Sequence, residues 1–181
     1  MRGIKYIWIL GFAVLLSGCL GKIPQGQSYE LGANAEVLQQ TLPKNISKKR
    51  MLEWEIIVAP KIAGKKIAYK KDANTIAYFA KNTWIEPFSE ILNALSQKVA
   101  WNYGIWKSDD KGNVEQIKIN VLDCYFDTKK ESVFVQLLVE SKESSVLIVK
   151  EEAVESGGFV KIIYAFERAL NLAFADVFLS I

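Results

Sequence analysis

Phe88, Ile91, Leu92, Leu95 and Val99 fall on one face of a helix, while the stretches on either side carry apolar residues at strand spacing. That switch of period confines the chain to a layered arrangement of sheet and helices. Trp54-Glu-Ile-Ile-Val-Ala-Pro60 reads as a strand stopped by its proline. Lys66–Lys70 and Thr75–Phe79 follow as a hairpin across the turn formers Asp72 and Asn74. The helix is expected over 86–100, with Pro87 in its first turn and Glu86 and Glu90 at the positive end of its dipole. Residues 102–114 read as a loop, then 115–126, 132–141 and 144–152 as a meander joined by short polar breaks. After Ser156-Gly157-Gly158, a stripe of Phe159, Ile162, Ile163, Phe166, Leu170, Ala173, Phe174, Val177 and Phe178 carries a second helix to the C-terminus. The expected class is α/β (α+β): one mixed, mostly antiparallel sheet of five to six strands with two long amphipathic helices, in the order β-ββ-α-βββ-α.

The N-terminus has a different purpose. Arg2 and Lys5 precede eleven uncharged, almost wholly apolar residues from Tyr6 to Leu16. A membrane span needs about 20 such residues, so this is the length of a signal-peptide core. Leu16-Ser17-Gly18-Cys19 then resembles the bacterial lipobox, in which small residues let the peptidase reach the backbone beside a lipidated Cys. This divides the chain into a signal peptide (1–18), a lipidated Cys19 with a tether and irregular structure (19–50), and a single domain (51–181). A short helix is expected around 34–42. Removing 1–18 takes two basic residues and no acids, so the net charge falls from +3 to +1. Leu20, where enterobacterial lipoproteins retained in the inner membrane commonly have Asp, favours the outer membrane by analogy. With Cys19 acylated, Cys124 has no partner for an intrachain disulfide and reads as a small core residue.

Composition removes whole classes of chemistry. There is no histidine, hence no Ser-His-Asp or Cys-His system and no histidine-containing zinc site. A charge of +3 falls short of the basic excess of a dedicated nucleic-acid binder. Asp109-Asp110 reads as a solvated loop pair, and Glu151 and Glu152, adjacent on a strand, point to opposite faces and form no dyad. No phosphate loop and no metal-ligand spacing is present, so neither catalytic residues, metal nor cofactor are expected.

What remains is a surface. Residues 44–71 hold nine basic side chains, among them Lys65, Lys66, Lys70 and Lys71, against Glu53 and Glu55. Such a face near a lipid anchor suits anionic head groups or an acidic partner, while the plainer use is as solvated hairpin lysines that protect a sheet edge. Tyr69, Tyr78 and Trp84 crowd the hairpin and helix start, with core packing as the alternative use. Trp101 and Trp106 flank the end of the first helix beside Gly104. These nine residues are the candidate partner or lipid surface.

Ile67-Ala-Tyr69, Ile76-Ala-Tyr78-Phe79 and Asn82-Thr-Trp84-Ile-Glu86-Pro87-Phe88, followed by an amphipathic helix, resemble the ABC-type transport auxiliary lipoproteins. The preceding Ala59-Pro60 with Ile62-Ala63-Gly64 and the closing helix from Phe166 to Ile181 match as well. With the lipobox, the resemblance covers residues 16–20 and 52–181. Thr83 stands where the family usually has Arg or another polar residue, and Phe88 replaces the commoner Leu, so no role for that Arg is carried over. The resemblance implies a non-enzymatic, lipid-anchored docking protein of the cell envelope, facing the periplasm. Its implied partners are a mammalian-cell-entry-domain protein with an ABC permease and ATPase. A direct phospholipid carrier and a structural outer-membrane lipoprotein are the alternatives, and a homo-oligomer is compatible with each. A tether of about thirty residues would reach about 100 Å when fully extended.

Globomycin treatment of expressing cells is expected to accumulate the unprocessed precursor, and Cys19→Ala to abolish membrane association. Processing that ignores both overturns the lipobox.

Overall fold

The computed structural model describes residues 26–42, 50–108 and 114–181. Leu16, Ser17, Gly18 and Cys19 lie outside these residues, as do Lys44, Lys48, Lys49 and the Asp109-Asp110 pair.

Six strands of seven residues or more appear in the expected order with two long helices: β2 (Arg50–Val58), β3 (Lys66–Asp72), β4 (Thr75–Trp84), α2 (Phe88–Asn102), β6 (Glu115–Asp127), β7 (Ser132–Glu140), β8 (Ser145–Ala153) and α3 (Phe159–Leu179). Three short elements complete the fold: β1 (Gln27–Tyr29), α1 (Ala35–Gln39) and β5 (Ile105–Lys107). The fold is α+β, built on one mixed sheet. Antiparallel pairing joins β3 to β4, β6 to β7 and β7 to β8, while β1, β2 and β5 enter parallel to their neighbours.

β6 is the strand to which the others are fitted. One of its edges pairs with β7 from Lys118 to Asp127. The other edge is shared: β2 covers Glu115–Val121, then β3 takes over at Phe126 and Asp127. Parallel pairing of β2 with β6 requires a long crossover, which the β3–β4 hairpin and α2 supply. Both long helices bury their apolar stripes in one core, α2 against β2, β5 and α3, and α3 against β7 and β8. Trp54 lies in that core edge-on to Phe178 at 5.4 Å, and its indole N–H donates to the Ser96 hydroxyl at 3.0 Å, so the buried polar atom is satisfied. The turn into α3 uses Gly157 and Gly158 at φ 139° and 83°, values that a side chain would oppose.

Three local expectations change. Pro87 precedes α2 rather than sitting inside it, because β4 runs on to Trp84 and the Phe88 and Ser89 amides are taken by the Gly64 and Ala63 carbonyls. The 102–114 loop contains β5, three residues held against Arg50–Leu52 with Ile105 buried. The largest change concerns 19–50. Gln27–Leu42 are built onto the domain: β1 pairs with β4, Leu31 and Leu38 are buried, and the short helix expected around 34–42 is present as α1, capped by Asn34 through the Glu36 and Val37 amides.

A single buried side chain clasps this segment. Asn171 of α3 accepts from the Asn34 amide at 3.1 Å and donates to the Gly32 carbonyl at 2.9 Å and the Glu167 carbonyl at 2.7 Å. Glu167 adds bonds to the Gly32 amide and the Asn34 side chain at 3.2 and 3.0 Å. Polar composition hid this docking, because the segment is held as much by hydrogen bonds as by apolar burial. Asn171→Ala, which strands two backbone groups, is expected to cost about 2–4 kcal/mol in urea unfolding and to open 27–42 to limited proteolysis.

Candidate functional site

The nine surface candidates divide into two groups and a core residue. The first group belongs to the β3–β4 hairpin. Lys66 Nζ sits 5.5 Å from the Tyr78 ring centroid, and the Tyr78 hydroxyl donates to the Lys61 carbonyl at 2.7 Å. Lys70 Nζ lies 5.3 Å from the Tyr125 ring centroid, and Tyr125 in turn stacks on Phe134. Lys65 reaches the Ile85 carbonyl at 2.9 Å, and Lys71 is exposed near the hairpin turn. Tyr69 turns the other way, packing 4.7 Å from Phe79, which meets Phe159 of α3 edge-on. Its ring is half-buried structure rather than free surface.

The β6–β7 turn joins this group. The Thr128 amide and hydroxyl both donate to the Lys70 carbonyl, and Asp127 accepts from the Lys129 and Lys130 amides. The carboxylates here are engaged. Asp72 is held below the usual carboxylate range by the Thr75 side chain and the Asn74 amide. Glu151 is lowered by the Ser132 hydroxyl and then by Lys130, whose own ammonium is raised by the same contact. Glu152 points to the opposite face and pairs with Arg168 at 3.2 Å, so the two adjacent acids are apart.

The second group lies at the other end of the sheet. Trp101, at the end of α2, is 63% exposed and meets Trp106 of β5 nearly edge-on with centroids 5.1 Å apart. Met51, 51% exposed, is the register partner of Trp106. Tyr69 pairs with Phe126 near one end of β6, whereas Met51 precedes the residue paired with Glu115 at the other. Eleven or so strand residues separate the groups, about 35 Å, so they do not form one surface.

Trp84 is a correction. It is 2% exposed, stacked on Phe88 at 5.1 Å and edge-on to Phe166 at 5.5 Å, because the β4–α2 junction turns it inward beneath both helices. Cys124 is buried, with its thiol pushed far up by desolvation and by nearby Asp123, and is no nucleophile at neutral pH.

One feature has no counterpart in the sequence reading. A cleft of about 480 Å³ opens beside α3, with Asn34, Glu152, Glu155, Lys161, Tyr164 and Arg168 among its walls. Its charges are matched, Lys161 to Glu155 at 2.7 Å and Arg168 to Glu152. The residues come from 34, 152–155 and 161–168, too far apart in the chain for any motif to reveal them. Among the described residues no cluster of three or more Cys, Asp or Glu side chains suits a metal ion, and no helix is long and apolar enough to cross a membrane.

The fold has relatives among solved structures. Protein XCC0632 from Xanthomonas campestris, a DUF330 protein, superposes with a TM-score of 0.63 over 87% of this chain and 93% of its own, at 13% identity. An uncharacterized protein superposes with a TM-score of 0.66 over 86% of this chain and 98% of its own, at 12% identity. The chain therefore shares the DUF330 fold. No protein-family model and no curated protein matches the sequence.

Trp84→Ala is expected to cost about 3–5 kcal/mol in chemical denaturation, and Trp101→Ala to stay within about 0.5 kcal/mol. Equal losses would overturn the division into core and surface.

Proposed function

We propose that this chain is an auxiliary docking lipoprotein of an ABC-type, mammalian-cell-entry-domain lipid transport system. In this reading it is anchored by acylated Cys19 in the outer membrane, faces the periplasm and catalyses nothing. One observation carries docking as its mode of action: Trp101 stands largely in solvent, braced by Trp106 and flanked by Met51 on rigid elements. Bulky aromatic side chains held in place while exposed are the residues that dominate protein interfaces. The transport system itself comes from the hairpin and helix-start resemblance together with the shared DUF330 fold, which is associated with PqiC-type lipoproteins.

Affinity purification of the tagged lipoprotein from cross-linked membranes is expected to recover the mammalian-cell-entry-domain protein. The Trp101→Ala/Trp106→Ala double variant should lower that recovery about tenfold or more, and a Lys129→Ala control at the opposite end of the sheet should leave it unchanged. Repeated failure of the wild-type chain to recover that partner overturns the proposal.

A further inference from the structure

The path of the chain into β1 says which end of the domain meets the membrane. β1 runs parallel to β4, with Gln27 opposite Asn82 and Tyr29 opposite Trp84. β4 itself runs from the hairpin turn at Thr75 towards Trp84. The chain therefore enters β1 from the hairpin side, and Gly26 still tracks β4, so close that a Cβ there would lie 3.2 Å from the Lys81 carbonyl oxygen. Cys19 is eight residue steps upstream of Gln27, no more than about 29 Å at full extension.

The two ends of the sheet stand differently to that reach. Thr75 is level with Asp72, six β3 residues from the Lys66–Thr83 pair, about 20 Å, because β4 carries extra residues between Tyr78 and Thr83, so the hairpin turn lies within the span of a fully extended spacer. The Trp101–Trp106 pair lies the other way, beside Met51 at the start of β2. Reaching it would require the spacer to reverse direction and cover about 30 Å.

We propose that the domain stands end-on upon the bilayer, its foot the β3–β4 hairpin turn and the β6–β7 turn and its far end the Trp101–Trp106 pair. The proposal rests on the lipoprotein reading. The foot is a built surface, since the Lys70 carbonyl accepts both the amide and the hydroxyl of Thr128 and so locks the two turns together. Lys71 and Lys129 are exposed at its tips, while Asp72 and Asp127 are turned back onto the amides of their own turns. Flexible lysine stems of this kind carry ammonium groups to lipid phosphates. The tryptophan pair is then held about 45 Å above the lipid, clear of the head groups.

The test uses the lipidated full chain in vesicles of phosphatidylethanolamine and phosphatidylglycerol carrying a head-group nitroxide lipid. Lys71→Cys, Lys129→Cys and Asn102→Cys are each labelled with a fluorophore; Cys124 is buried and takes no label. Quenching at 71 and 129 should exceed that at 102 by about threefold or more, and inserting about twenty Gly/Ser residues after Leu20 should erase the difference. Quenching at 102 equal to or above that at 71 overturns the end-on orientation while leaving the lipoprotein reading intact. Failure of the wild-type protein to float with vesicles, with no acyl mass on Cys19, overturns the lipoprotein reading and the orientation together.

Discussion

Every backbone amide and carbonyl of a strand buried within a sheet needs a partner, and β6 is thirteen residues long. β7 follows one of its edges, but no single strand follows the other: β2 pairs as far as Val121 and β3 begins at Phe126. The two lie in succession along that edge, and the chain between them leaves the sheet over residues 59–65. The β6–β7 register slips at the same level, between Val121 and Asp123, where β2 gives way to β3. The excursion then receives α2, whose first amides bond to the Ala63 and Gly64 carbonyls. A break in one edge of one strand thus sets the position of the hairpin, the start of a helix and the inward turn of Trp84.

This arrangement makes the domain long in one direction and gives it two unlike ends. Near the C-terminal end of β6 lie the hairpin and the β6–β7 turn, rich in lysine and joined through the Lys70 carbonyl. Near its N-terminal end lie Met51, Trp101 and Trp106. Separate ends suit a protein that must hold to one thing and present itself to another. The N-terminal segment strengthens the polarity, since β1 pairs with β4 and Asn171 and Glu167 tie residues 32–34 to α3, fixing the chain from Gln27 onward.

The legibility of the structure followed the strength of local patterning. The six long strands and both long helices could be read because each repeats its period over at least two turns or several alternations. β1 and β5 could not, because three residues carry no period and pair only where a finished edge awaits them. Residues 27–42 read as tether and irregular structure with one short helix, because much of what docks them is polar and its partner lies on a helix more than 130 residues later. Trp84, at the end of β4 just before α2, and Trp101, in the last turn of α2, are the same residue type. Nothing local says that the first is covered by Phe88 and Phe166 while the second stands in solvent.

By itself, then, the sequence determined the kinds of element, their order, the α+β class and the absence of histidine chemistry, since each of these depends on residue type and near-neighbour spacing. Only the tertiary structure decided which aromatics are surface, that residues 27–42 join the domain and that the candidate surface is two separate ends. Those outcomes depend on long-range closure: two strands sharing one edge of β6, and an asparagine in the last helix reaching back to the first residues of the fold.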